Sequence, residues 1–407
     1  MSKPKQKHRL AVVSPFLGKS FGTERTVIEW LTHLPDTFEI HVYSQHLEDL
    51  DGAHFIWHRI PKMPGPHLFN FLWWFAANHI WRAVDRLRGL EPDLVYSPGI
   101  NCLDADVISV HIVFAEYLRQ LQSQRDLAQK QMHSRPRIFH RKLYYRLIVA
   151  LERHIYANPQ VPLVLYAKKT AKDLERFYDR HDRFPVLYLG LDHDAFNPVR
   201  RAELRNMARG QLGITNDRFI LLLVGNDLRK KGIVVLIEAI SKLRDLPVDL
   251  MVAGREDPGP FRGMVCDRGL RGRVHFLPPR KDIEFYYAVA DAYTGPSLED
   301  TFALPPAEAM ACGMPVIVSS ENGTFEIITH ESDGLILNDP NDADTLAAMI
   351  RRLYEDSDFR TRLAQKAAET ARQYTWERNG RDLGEIFEDI LRQKTTRSSG
   401  QTITQEL

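Results

Sequence analysis

Two carboxylates and a helix start fall within one short stretch, Pro296 to Ser320, PSLEDTFALPPAEAMACGMPVIVSS. Asp300 stands eight residues before Glu308, and Glu299 lies beside it. Carboxylates at such a spacing can hold ligand hydroxyls or face positive charge as it develops in a transition state. Pro305 and Pro306 sit where a helix can open and Gly313 where it must stop, the asymmetry a short helix needs. Val316 to Val318 then reads as a buried strand. This pattern predicts Glu308 in the first helical turn, where the dipole favours a carboxylate. A helix start also suits an anion such as a diphosphate. Proline lacks an N–H, so the backbone donors at this start are Ala303, Leu304 and Ala307.

A second constellation lies in FILLLVGNDLRKKGIVVLIEAI, from Phe219. Gly225 ends a strand, and Lys231 and Gly232 open a helix, with Arg229 and Lys230 alongside. Cations at a helix start oppose the dipole, a cost that a purely structural helix would avoid. Fixed positive charge there would stabilise a departing diphosphate. His111 closes a third segment, the strand Asp106 to Val113. Ligands of open α/β sheets bind beyond the carboxyl ends of strands, so His111 is either a site residue or a core histidine.

The segment Glu308-Ala-Met-Ala-Cys-Gly-Met-Pro-Val316 resembles the acidic motif of family 4 glycosyltransferases, retaining GT-B enzymes that use nucleotide-sugars. Gly22-Thr23-Glu24-Arg25 resembles the family's GG.ER loop, VLYLGLDHDAFNP its hinge, and ENGTFEIITHESDGLIL its G..E......G.L segment. Four positions depart from the pattern: Asp300 replaces glutamate, Ala303 and Phe21 replace glycines, and Asn226 replaces arginine. The resemblance implies Lys231 and Arg229 on the donor diphosphate and Glu308 on the ribose hydroxyls. It implies Asp300 and His111 near the transferred sugar, Arg280 near the base, and Gly22 beside sugar and acceptor. It further implies a metal-independent reaction in which the leaving phosphate takes the acceptor's proton on the same face.

Strand-like and helix-like runs alternate along the chain, the mark of parallel, doubly wound sheets. The expected architecture is α/β: two Rossmann-like domains facing across a cleft, as the resemblance also implies. Residues 1–198 form the acceptor-side domain, completed by a helix at about 376–394. Residues 199–375 form the nucleotide-sugar domain, and 395–407 a disordered tail. Residues 67–89, HLFNFLWWFAANHIWRAVDRLRG, predict a helix whose face of Leu72, Trp73, Ala76, Ile80, Val84 and Leu87 meets the core. The alternative is a helix lying on a membrane surface, aromatic on one side and basic at Arg82, Arg86 and Arg88. The basic, aromatic helix Arg135 to Arg153 is either a solvated face or a contact for anionic lipid.

At 407 residues the chain suits two cores. Its 54 basic and 53 acidic residues leave a net charge of +1, which argues against nucleic acid as a partner. Three scattered cysteines speak for a reducing compartment and against disulfides or zinc. The basic start runs straight into a strand, without a secretory apolar segment, and no apolar run reaches membrane-span length. Asp104-Ala-Asp106 has the spelling of a metal site but precedes a strand, and reads as a strand cap. No metal and no cofactor is expected. These observations predict a cytoplasmic protein with peripheral contact at the inner membrane face, and the resemblance implies a hexose-type transferase with a glycan or lipid-linked acceptor. A GT-B nucleotide-sugar epimerase and a non-catalytic nucleotide-sugar-binding scaffold are the alternatives.

Overall fold

The computed structural model describes residues 7–18, 22–48, 55–125 and 135–403. Lys19 to Phe21, which lead into the GG.ER-like loop with Phe21 at its first glycine position, fall outside them. The chain forms two compact units, residues 1–188 with 376–407, and residues 189–375. The break follows Tyr188, ten residues before the expected boundary near Pro198, because the segment Leu191 to Pro198 is tied into the second unit. Leu191 pairs with Thr375, and His193 Nε2 lies 3.0 Å from the Tyr374 carbonyl.

In the first unit, β1 (His8–Val13) pairs with β3 (Phe38–Ser44) and β6 (Leu94–Pro98). A small pair, β2 (Phe16–Leu17) and β4 (His46–Leu47), stands apart. β5 (Phe55–Arg59), β7 (Val107–Val110) and β8 (Leu163–Leu165) complete a parallel sheet of order β5-β3-β1-β6-β7-β8. The helices are α1 (Gly22–Thr32), α2 (His67–Leu87), α3 (Phe114–Arg125), α4 (Arg135–Tyr156) and α5 (Lys169–Tyr178). Val186 adds only an isolated bridge, to Leu165.

The second unit repeats the plan. α6 (Pro198–Gln211) precedes β9 (Phe219–Val224), α7 (Ile233–Ser241), β10 (Val248–Ala253), α8 (Gly259–Asp267) and β11 (Val274–Leu277). Then come α9 (Glu284–Val289), β12 (Ala292–Gly295), α10 (Leu304–Ala311), β13 (Val316–Ser319), β14 (Leu335–Leu337), α11 (Ala343–Glu355) and α12 (Ser357–Ala371). The strands are near-continuous apolar runs such as FILLLV, as sheets covered on both faces require. Their order is β11-β10-β9-β12-β13-β14, all parallel. Both sheets thus start in the middle and reverse direction once, between β1 and β6 and between β9 and β12. Such a switch point is where open α/β sheets take ligands.

α13 (Trp376–Ile403) returns to the first unit. Its Gly380 lets the helix lie against α1, since a Cβ there would come within 2.2 Å of the His33 carbonyl. Asn379 fastens it, donating to the Tyr188 carbonyl at 2.8 Å. The helix continues to Ile403, so residues 395–403 of the expected irregular tail are helical. Thr395 and Thr396 return their hydroxyls to the carbonyls of Leu391 and Arg392 at 2.9 and 3.0 Å, four residues back, which satisfies them within the helix.

α2 reverses the expected face. It buries Leu68, Trp74, Ala77, Asn78, Arg82 and Asp85, while Leu72, Ile80, Val84 and Leu87 are exposed. Asn78, Arg82 and Asp85 each have polar partners, which is what makes their burial tolerable. Arg82 grips Asp104 with two bonds of 2.8 and 2.7 Å and reaches Asn78 Oδ1 at 3.0 Å. Asp85 accepts from the Tyr43 hydroxyl at 3.0 Å and meets His58 at 2.7 Å. Asp104 is therefore an ion-pair hub rather than a strand cap. Burial alone would raise its pKa, but His79 and Arg82 hold it well below the usual carboxylate range. Asp106 does act as a cap, accepting from the Val95 amide at 2.8 Å.

Candidate donor site at the switch point of the second sheet

The end of β9 and the end of β12 flank the switch point, and both lead into charged loops. After β9 the chain turns through Gly225 and closes on Gly232, the residue that caps α7 with φ of 82°. Gly232 has two reasons to lack a side chain. Its φ is left-handed, and a Cβ would stand 2.0 Å from the Pro296 carbonyl oxygen at the end of β12. Gly225 makes room in the same way, for a Cβ there would meet the Lys231 stem at 2.7 Å. The two glycines thus bring Lys231 across the sheet edge to the loop that carries Asp300.

There Lys231 Nζ forms a short ion pair with Asp300. Its neighbour Lys230 pairs with Glu299 at 2.5 Å, and the Lys230 carbonyl accepts from the Leu298 amide at 2.8 Å. Consecutive lysines thus meet consecutive carboxylates. Burial works against charge on Lys230, but Glu299 and Asp300 outweigh it and raise its pKa. The Asp300 loop is anchored from its other side. The Asp300 amide donates to the Glu321 carbonyl at 2.9 Å, and Gly323 donates to the Asp300 carbonyl at 3.0 Å.

α10 follows with Pro305 and Pro306 inside its first turn, so Glu308 lies one turn deeper than expected, not in the first turn. It is buried, and one oxygen accepts from the Tyr287 hydroxyl of α9 at 2.7 Å. Ala303, expected to offer a backbone donor, spends its N–H on the Thr324 hydroxyl at 3.1 Å, while that hydroxyl donates to the Ala303 carbonyl at 2.7 Å. Leu304 opens the helix, so no intrahelical acceptor exists for its N–H.

The remaining expected residues stand apart from this cluster. Arg229 is exposed and leans over the Phe261 ring of α8 at 5.7 Å. Arg280 is held by Asp282 of its own loop, at 2.6 Å, and covers the Phe285 ring at 3.9 Å. Asn226, at the position of the family's arginine, accepts from the Arg255 amide at 3.0 Å. In the first unit Gly22 is the exposed first residue of α1, its carbonyl accepting from Thr26 at 2.8 Å. His111 follows β7, stacks on Tyr166 with centroids 4.5 Å apart, and places Nε2 3.1 Å from the Tyr166 hydroxyl. Burial lowers its pKa to about 3, so the imidazole is neutral at physiological pH.

Lys230 and Glu299 were named in the sequence only as neighbours of Lys231 and Asp300, and Tyr287 and Thr324 were not singled out. The doublets Lys230-Lys231 and Glu299-Asp300 carried a signal, since two cations and two anions flank ends of adjacent strands. Tyr287 and Thr324 carried none.

Residues 205–370, nearly all of the second unit, match the family profile described as "Glycosyl transferases group 1". The second unit is thus similar to this family over nearly its whole length. A D-inositol 3-phosphate glycosyltransferase of Corynebacterium urealyticum is 29% identical over 252 residues, 59% of each chain. The lipopolysaccharide glucosyltransferase WaaG of Escherichia coli K12 is 27% identical over 252 residues, 61% of this chain and 66% of WaaG. The chain thus spans about half to two thirds of the curated group 1 relatives it matches. The crystal structure of WaaG superposes with a TM-score of 0.75 at 22% identity, covering 93% of this chain and 99% of WaaG. Anabaena Alr3699/HepE in complex with UDP-glucose gives 0.68 at 20% identity, covering 94% and 99%. The fold is therefore GT-B.

Proposed function

We propose that this protein is a retaining glycosyltransferase that moves a hexose-type sugar from a nucleotide-sugar to a glycan or lipid-linked acceptor of the cell envelope. The observation that carries the reading is the pairing of Lys231 with Asp300 at the switch point of the second sheet. A donor diphosphate would take the Lys231 ammonium as its partner, with Lys230 close behind. Asp300 would then be released to the sugar hydroxyls or to the positive anomeric carbon. Glu308, buried behind them, suits the ribose hydroxyls, and the Leu304 amide suits a phosphate oxygen. Departure and attack on one face would let the leaving phosphate take the acceptor's proton, so no protein base and no metal is needed. In the first unit His111 would serve as a neutral hydrogen-bonding group. Arg229 and Arg280 would act only after leaving their present partners.

A relative crystallised with UDP-glucose makes UDP-sugars the first donors to try. Among the described residues no helix is long and apolar enough to cross a membrane. The exposed apolar stripe of α2 favours peripheral contact with a bilayer, at the inner face of the membrane, while Arg82 and Arg86 are engaged by Asp104 and Arg88 by Asp85. Nucleoside diphosphate release from UDP-, GDP- and ADP-sugars, with EDTA present and with or without membrane extract, tests the reading. Release from one donor only when extract is added is expected. Donor conversion without extract would indicate an epimerase instead, and nucleotide binding without any release a scaffold.

A further inference from the structure

Strands β3 and β5 and helix α2 of the first unit meet in a row of polar side chains. Strand register sets it up: His58 of β5 stands opposite Tyr43 of β3, so His58, Tyr43 and His41 share one face of the sheet. The row runs from Glu39 through His41 and His58 to Asp85 of α2. Glu39 Oε2 lies 3.1 Å from His41 Nε2, and His41 Nδ1 lies 2.9 Å from His58 Nε2. His58 Nδ1 then lies 2.7 Å from Asp85 Oδ2. Its inner members are nearly dry, since His41 is buried and the His58 and Asp85 side chains are 13% and 8% exposed.

Counting hydrogens decides what this row holds. An ionised carboxylate only accepts, so Glu39 claims the hydrogen of His41 Nε2 and Asp85 that of His58 Nδ1. Asp85 is fixed as an acceptor by the Tyr43 hydroxyl at 3.0 Å. The hydrogen bond from His41 holds the Glu39 carboxyl below the usual carboxylate range. A neutral imidazole carries a single hydrogen, so two neutral rings would leave bare lone pairs facing each other across 2.9 Å. Two imidazolium ions would set two N–H groups against each other there. One added proton satisfies every contact of the row.

The surrounding charges fit that count. Arg88 of α2 meets Asp85 at 3.5 Å and Arg9 of β1 meets Glu39 at 3.5 Å, while Arg82 and Arg86 of α2 are taken up by Asp104. Tyr43 stays a neutral donor, because burial and Asp85 raise its pKa. Burial, the largest cause, and the charge of His41 lower the His58 pKa against the pull of Asp85, so a second proton is resisted.

We propose that His41 and His58 share one proton and form a clasp that ties the edge strand β5 to β3 and α2 and opens as that proton is lost. β5 has a backbone partner on one side only, β3, so its side-chain ties decide how firmly it is held. The pair titrates as a unit, and a proton with two nitrogen partners is held at pH values where separate unfolded imidazoles, titrating near about 6.5, have lost theirs. The stabilisation is therefore present near about 6.5 and fades as pH rises past the point where the pair lets go. It is undone in acid when His58 takes the second proton.

The test is ¹⁵N NMR of the full chain with labelled histidines. The two rings are identified by the signals lost in His41→Gln and in His58→Phe, the latter keeping a ring on Tyr43. At pH 7.5 the pair is expected to carry one hydrogen more than two neutral rings, whereas separate imidazoles would be about nine-tenths neutral. Hydrogen exchange of the β5 amides, corrected for the intrinsic base-catalysed rate, should accelerate about tenfold between pH 7 and pH 10 while β1 stays protected. In folded His58→Phe it should be fast throughout. Both rings neutral or both charged at pH 7.5 would overturn the sharing, and β5 exchange indifferent to pH would overturn the clasp. Should the variants fail to fold, exchange in the wild-type protein still decides.

Discussion

At the scale of single residues, chemistry was legible where it is local. Lys231, Asp300 and Glu308 could be singled out because each lies in a short segment with its own glycine and proline punctuation, and the structure pairs the first two and buries the third. Ala303 was misread because its N–H goes to Thr324, twenty-one residues away, and no local pattern carries that bond. Glu308 was placed a turn too early because Pro305 and Pro306 fit inside the first turn as well as before it. Two buried groups in the first unit set a pH dependence of opposite sign. Burial pushes the Glu152 carboxyl up to about 7, against hydrogen bonds from Tyr178 and two amides. Its folded pKa exceeds its unfolded value, so its stabilising protonation is complete below about 4.5 and lost as pH rises through about 7. His111 is shifted the other way, so its contribution is present above about 6.5 and lost as pH falls toward 3. The urea-midpoint advantage of wild type over Glu152→Gln should therefore shrink between pH 5 and pH 8. A constant difference would contradict that account of Glu152.

At the scale of elements, alternating apolar runs located the main strands and most helices, since parallel strands covered on both faces leave little ambiguity. α2 failed for a physical reason. Its apolar residues form the longer stripe, yet ion pairs to Asp104 and His58 draw its polar face inward. Periodicity weighs hydrophobicity and cannot see partners distant in the chain. α6 went unread although Asn197 and Pro198 mark its start; Asn197 Oδ1 accepts from the Arg200 amide at 2.8 Å. The helix then explains its own composition. Arg201, Arg205 and Arg209, one turn apart, bond the carbonyls that end α9, at 2.7 Å from Arg201 to Ala290 and 2.9 Å from Arg209 to Val289. The outward stripe of α2 leads to a further expectation. Phe69, Leu72 and Ile80 are 60%, 45% and 53% exposed. Vesicles containing phosphatidylglycerol should sediment with the wild-type protein, and a Phe69→Glu, Ile80→Glu double variant should lose most of that binding with its melting temperature unchanged. Equal sedimentation of both would mean that the stripe does not meet lipid.

At the scale of the whole molecule, the two units share one strand order and differ in what surrounds their switch points. The second unit has paired charges at its switch point, the first a largely apolar cavity at its own. The βαβ alternation made the paired sheets readable, but the cavity was invisible in the sequence. Its wall comes from segments between Pro15 and Tyr156 that only the fold assembles. The central claim is that Lys231 handles the donor diphosphate. Its most direct test is the kcat of sugar transfer by Lys231→Ala, with circular dichroism to establish an intact fold. Loss of a fixed cation at a developing negative charge should lower kcat by about 10²- to 10³-fold, and Lys231→Arg should recover part of it. An unchanged kcat in folded Lys231→Ala would contradict the account.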